Sequence, residues 1–153
     1  MKKILIATCL LLSCLCLQAQ SKWYIAPELG AAGVEKSTYF YSGLTVGYYP
    51  SERPYGLGIN GSYVFNSDNN IFTAALLAMG ELRDGKWITT GSLGIGMQKI
   101  SSRDKVDLAT IISISPGYQL TENLLFGIKI SATLNFIANV HFQQSGVFLA
   151  IKF

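Results

Sequence analysis

Between Leu124 and Phe136 the chain alternates without a break. Leu124, Phe126, Ile128, Ile130, Ala132, Leu134 and Phe136 share one face; Leu125, Gly127, Lys129, Ser131, Thr133 and Asn135 share the other. Successive side chains of a strand point to opposite sides of its sheet, so this segment has one apolar wall and one nearly polar wall. The same rhythm predicts strands over Trp23–Val34, Tyr39–Pro50, Pro54–Phe65, Ile71–Arg83, Lys86–Gln98, Leu108–Leu120, Leu124–Phe136 and Gln144–Phe153. Each meets or slightly exceeds the ~9–11 residues that a tilted strand needs to cross a bilayer. Ser51-Glu52-Arg53, Asp84-Gly85 and Thr121-Glu122-Asn123 read as tight turns, Asp-Gly being a strong two-residue hairpin signal. Glu35–Thr38, Asn66–Asn70, Lys99–Asp107 and Ile137–Gln143 read as loops of the opposite end, mostly longer and partly charged. Short turns alternating with longer loops around an even number of strands is the arrangement of a membrane barrel. The expected fold is all-β: an eight-stranded antiparallel up-and-down transmembrane β-barrel over residues 21–153.

A soluble barrel with the same strands would hide its apolar face inside, and glycine placement separates the two. By alternation Gly30, Gly43, Gly47, Gly56, Gly58, Gly94, Gly96, Gly117, Gly127 and Gly146 lie on the polar face. Eight strands enclose a space only just wide enough for their own side chains. The face rich in Gly, Ser and Thr fits that space; the face bearing Leu57, Ile59, Leu93, Ile95, Ile128, Ile130, Leu149 and Ile151 would overfill it. Within strands the charges Glu28, Glu81, Lys129 and Lys152 share the small-residue face, and a lysine facing lipid at mid-bilayer would cost about 2–4 kcal/mol. Trp23, Tyr48, Tyr55, Trp87, Tyr118 and Phe153 fall outward near the turn end, and Phe40, Phe65 and Phe136 near the loop end, as two interfacial girdles would. Strand four is the weak point. Glu81 turns Leu77 and Met79 inward with it, unless a bulge shifts the phase.

Composition agrees with a surface that largely avoids water. Only 14% of the residues are charged and 50% are hydrophobic, against about 25% charged in an ordinary soluble domain. Past the N-terminus no apolar stretch approaches the ~20 residues of a membrane-spanning helix. Residues 1–20 read as a secretory signal peptide: Lys2 and Lys3 are a basic start, Ile4 to Leu17 an apolar stretch, and Gln18-Ala19-Gln20 a small, polar exit. Cleavage is expected after Ala19 or Gln20. Cys9, Cys14 and Cys16 all lie in that segment, leaving the exported chain without cysteine in an oxidising compartment. Leu11-Leu12-Ser13-Cys14 also has the look of a lipoprotein processing box, which would make Cys14 a lipid anchor. Without Lys2 and Lys3, ten basic residues face nine acidic ones, and this near-neutrality argues against nucleic acid as a partner.

Little in the chain has the pattern of a catalytic or metal centre. One histidine and scattered carboxylates do not make the usual N/S ligand set, and Asp104 and Asp107 are accompanied by Arg103 and Lys105. No cofactor is implied. Gly94-Ile95-Gly96 is followed by no helix start, and Asn60-Gly61-Ser62 lies within a strand. Glu28 on the first strand, Lys152 on the last and Lys129 beside it all face inward, and they predict an internal ion-pair cluster plugging the lumen. A gated pore is the alternative for those charges, against the narrowness of eight strands.

With strands, export segment and final residues taken together, the chain resembles the small eight-stranded outer-membrane β-barrel proteins of Gram-negative bacteria. These are the OmpX/OmpA-type barrel group, with an Ala19-Gln20 exit and compact loops similar to Bacteroidota members. The resemblance implies the outer membrane as location, lipid as surroundings and a monomer. Its one local motif is the last strand, where Val147, Leu149 and Ile151 alternate and lead to Phe153. In that group such a strand is read by the barrel assembly machinery; Ile151 stands where many members carry tyrosine. Some barrels of this size modify lipid A, one with a His/Ser pair on its lipid-facing surface. Here His141 and Ser145 are the nearest equivalents, and on an extended strand they would stand about 13 Å apart, beyond general-base reach. The expected role is therefore non-enzymatic, structural or binding through the loops, with Lys99–Asp107 the most charged of them. A lipid-modifying enzyme, or a soluble or lipidated periplasmic barrel holding an apolar ligand, are the alternatives.

Overall fold

The computed structural model describes residues 22–34, 37–50, 53–65, 70–135 and 141–153. The expected signal peptide with Cys9, Cys14 and Cys16, the expected girdle residue Phe136, Ser51 and Glu52 of the first expected turn, and parts of the loops at 35–36, 66–69 and 136–140 lie outside the described residues. Eight strands, β1 (Lys22–Val34), β2 (Ser37–Tyr49), β3 (Tyr55–Phe65), β4 (Ile71–Asp84), β5 (Trp87–Ile100), β6 (Val106–Thr121), β7 (Leu124–Asn135) and β8 (His141–Lys152), follow one another around a closed barrel. Every neighbouring pair is antiparallel, and β1 closes on β8 from Tyr24 opposite Lys152 to Val34 opposite Phe142. Closure leaves no unpaired edge, which a barrel in lipid requires because hydrocarbon offers backbone groups no hydrogen-bond partner.

Most strands run longer than the alternation predicts. β5 carries on through Lys99 to Ile100, and β6 starts at Val106, so both ends of the predicted Lys99–Asp107 loop are ladder and only 101–105 connects the strands. Likewise only 35–36 separates β1 from β2. Connections at the two ends are therefore closer in length than expected. Backbone pairing continues for as long as partners remain in register, whatever the polarity of the side chains. At the opposite end Gly85 takes a φ of 57° in the Asp84–Trp87 hairpin, the left-handed geometry a two-residue turn demands.

Alternation sorts side chains cleanly. Leu57, Ile59, Leu76, Leu93, Ile95, Ile128 and Ile130 are exposed on the outer wall, while Glu28, Thr45, Asn60, Lys129, Ser131 and Thr133 are buried in the lumen. A Cβ added to any of the ten glycines assigned inward would come within 3.0 Å of other atoms, whereas at Gly33, Gly61, Gly80, Gly85 and Gly91 it would meet nothing nearer than 4.0 Å. Several bulky lumen side chains occupy space vacated by a glycine on the adjacent strand or the next one round the barrel. Leu77 lies over Gly94, Met79 over Gly58 and Gly47, Phe148 over Gly127, and the Tyr41 hydroxyl over Gly146. That is how β4 fits with Leu77 and Met79 inside. Its pairing with β3 and β5 runs without interruption, and the bulge that sequence would allow there occurs instead in β6, between Gln119 and Thr121.

Proline marks two further irregularities. Pro27 and Pro116 fall where the β1–β8 and β6–β7 pairings skip positions, as expected of residues that have no N–H to give the ladder. On the outer wall, cross-strand aromatic pairs form two belts. Trp23–Tyr48 at 4.8 Å and Trp87–Tyr118 at 5.3 Å stand at the turn end, and Phe40–Phe65 at 5.5 Å at the loop end. Tyr63 joins the second belt, 4.8 Å from Phe65.

Candidate functional site

Among the described residues buried polar groups are concentrated in the lumen, where they are layered along its axis. At mid-height Glu28 of β1 and Lys129 of β7 form an ion pair, Nζ to Oε2 2.9 Å and Nζ to Oε1 3.0 Å. The two strands are not neighbours; β8 lies between them and contributes Gly146 beside both Lys129 and Gly30, which leaves the crossing open. Asn60 of β3 donates to Glu28 Oε1 at 2.9 Å and to Thr45 Oγ1 at 2.9 Å, and Lys129 also donates to Thr45 Oγ1 at 3.3 Å. Four strands are thereby tied across the axis by buried groups. Charges this deeply enclosed are tolerable only when paired and hydrogen-bonded, and here both conditions hold.

Lys152 belongs to a different layer. The sequence groups it with Glu28 and Lys129, but it stands opposite Tyr24, whereas Glu28 stands opposite Phe148, two inward positions deeper. Its Nζ instead donates to Glu81 Oε2 of β4 at 3.3 Å, and Arg83 joins the same carboxylate through Oε1 at 2.5 Å. Around this group Trp23, Tyr24, Tyr49, Arg53 and Pro54 line an open vestibule of about 220 Å³ at the turn end. Below it, hydroxyls of Thr90, Ser92, Ser113 and Ser115 border a narrower space of about 40 Å³ that ends on Glu28 and Lys129. That is room for a few waters, and for no larger solute.

Toward the loop end the lumen closes again. Ser131 donates to Gln144 at 3.1 Å and Asn135 to Gln98 at 2.6 Å, with Asp107 3.4 Å from the same Asn135 amide. Ala32, Tyr41, Val64, Ile71, Ile100 and Phe142 pack into an apolar cap beside them. Asp107, expected to be a loop carboxylate alongside Asp104, is an inward strand residue held by Asn135 and, at 3.9 Å, by Arg103.

On the outer wall His141 and Ser145 are both exposed on β8, with Gln143 between them on the same face. The strand is extended through all three, so about 13 Å separates the ends of this set, and no His–Ser hydrogen bond joins them. Val147, Leu149 and Ile151 continue that face, and the Phe153 amide donates to the Trp23 carbonyl at 2.8 Å, carrying the pairing with β1 to the end of the chain. Two residues of the site region escape the sequence reading. Glu81 as the partner of Lys152 depends on where the barrel closes. Lys99, taken as loop, is an outward strand residue flanked by Phe72 and Val106; its alternation with Ile95 and Met97 is the signal that would have found it.

No family model and no curated protein matches the sequence. The fold does have solved counterparts. The chain is similar to neisserial surface protein A (TM-score 0.70, 10% identity, covering 87% of this chain and 97% of that one). It is also similar to the N-terminal β-barrel domain of Pseudomonas aeruginosa OprF (TM-score 0.68, 14% identity, covering 88% and 100%). The outer-membrane enzyme PagL matches with a TM-score of 0.52 and 13% identity, covering 84% of this chain and 98% of that one. At these identities the likeness is one of fold: an eight-stranded closed barrel of the outer-membrane type, used by both enzymatic and other proteins.

Proposed function

We propose that the protein is a resident of the outer membrane, a monomeric barrel with a closed lumen that acts through its exterior and its loop end without catalysis. The observation that carries this reading is the outer wall. Among the described residues, no charge faces outward between the two aromatic belts, while the ions lie within the barrel. Such a wall would be an unusually large apolar surface for a protein in water, and it matches the ~25 Å apolar band of outer-membrane barrels. The solved proteins of similar fold support the location. In this reading residues 1–20 direct export, and Val147, Leu149, Ile151 and Phe153 form the strand that the barrel assembly machinery reads. The turn end faces the periplasm and the loop end the exterior.

Membrane residence is tested by fractionation. The chain is expected to stay with membranes after carbonate washing and to shift its gel mobility on boiling; release into the carbonate supernatant would refute the reading. Closure is tested separately in planar bilayers. With the Glu28–Lys129 crossing and the apolar cap in place, no stable conductance steps are expected, and a reproducible unitary current would overturn the closed lumen. The separation of His141 from Ser145 argues against a lipid-modifying activity.

A further inference from the structure

The outer wall also carries an apolar groove with a cation beyond one end. On the outward face Gly61 of β3 and Ala74 of β4 are cross-strand neighbours, and a Cβ on Gly61 would meet nothing within 4 Å. Next to Gly61, Ala74 lies on the floor of an open apolar groove of about 350 Å³ bordered by Ile59, Leu76, Ile95, Met97 and Leu108. The groove has almost no polar lining; its chemistry is that of a hydrocarbon chain.

One position nearer the loop end on the same face of β5 stands Lys99, two residues beyond Met97 and exposed between Phe72 and Val106. From Trp87 to Lys99 the strand covers about 40 Å, or roughly 30 Å of height at the usual ~40° tilt. That puts Lys99 just beyond the ~25 Å apolar band measured from the turn-end belt, at headgroup level. Among the described residues Lys99 has no ion-pair partner. The adjoining connection adds exposed Arg103 and Lys105 against Asp104, with Arg103 shared with Asp107. A cation at the interface directly above a chain-sized groove complements a lipid with an anionic head.

We infer that the β3–β6 face binds a phosphate-bearing lipid of the surrounding leaflet, its phosphate on Lys99 and one acyl chain in the groove over Ala74. This rests on the membrane-spanning reading above. Two groups do different work: Lys99 selects the head, and the groove holds the tail whatever its head.

The test is native mass spectrometry of the full exported chain, released from vesicles containing equal amounts of phosphatidylglycerol and phosphatidylcholine. The retained lipid is expected to be predominantly phosphatidylglycerol. Lys99→Gln, an exposed position that leaves folding intact, should lower that preference about five-fold. Ala74→Leu should fill the groove and reduce retention of both lipids while the preference among the remainder survives. Inorganic phosphate should not displace the bound lipid. Equal retention of the two lipids, a preference unchanged by Lys99→Gln, or displacement by inorganic phosphate would each overturn the inference. So would a two-chain mass that disappears with Ala74→Leu, since a second copy would then occupy the groove. Failure of the chain to enter vesicles would defeat the membrane reading and this inference together; entry without lipid preference would defeat this inference alone.

Discussion

Replacing Lys129 by methionine is expected to destabilise the barrel by about 3–5 kcal/mol, measured by urea unfolding in lipid vesicles. Methionine keeps most of the volume and removes only the ammonium group. Glu28, itself 3% exposed, would keep the Asn60 amide at 2.9 Å but lose its only cation among the described residues. A carboxylate stranded in that layer bears its desolvation with too little in return, which is why breaking a buried pair costs more than the pair itself contributes. The control is the double replacement Glu28→Gln with Lys129→Met. With both charges gone, stability should return to within about 1–2 kcal/mol of the unaltered protein. Losses that simply add, with no recovery in the double variant, would show that the two residues are not coupled.

Gly94→Leu should disrupt the wall, whereas Gly91→Leu on the same strand should fold normally. A Cβ at Gly94 would lie 2.5 Å from the Leu76 carbonyl oxygen and 2.5 Å from Leu77 Cδ2. The first of these is backbone held in the β4–β5 ladder and has no alternative rotamer. Overpacking of a flexible core costs about 1–3 kcal/mol; against fixed backbone the cost should exceed about 3 kcal/mol and appear as failure to reach the heat-modifiable form. Gly91 faces outward with nothing within 4 Å, so a leucine there adds only surface for lipid to cover. Equal folding yields for the two variants would contradict the inside–outside assignment on which the fold and the proposed function both depend.

The contrast between these two glycines also separates what local pattern reveals from what it hides. Period-two alternation gave the facing of Gly94 and of Ile128 and Lys129, and the charge of Glu81 fixed the phase that turns Leu77 and Met79 inward despite their size. It failed at strand ends. Lys99 and Asp107 look like loop residues because they are charged, yet the β5–β6 ladder extends through both. Hydrogen bonding between backbones is indifferent to side-chain charge, provided that the outward one reaches an interface and the inward one finds partners such as Asn135 and Arg103. Similarly, the position of the bulge in β6 follows from the pairing of β6 with β7 next to their turn and has no marker in β4, where alternation is ambiguous.

The Glu81–Lys152 pair shows the same division at longer range. Sequence puts both residues on the inner face, but their meeting depends on the stagger with which β8 closes on β1, setting Lys152 level with Tyr24 and four residues below the partner of Glu28. Facing is a property of each strand alone, because the pleat fixes it residue by residue. So the amino-acid order determined the strands, their inner and outer walls, and the concentration of charge within. Which charges share a layer, which glycine yields space to which side chain, and the lysine above the outer groove were decided by closure, since height in a barrel is a relation between strands and exists only once the ring is complete.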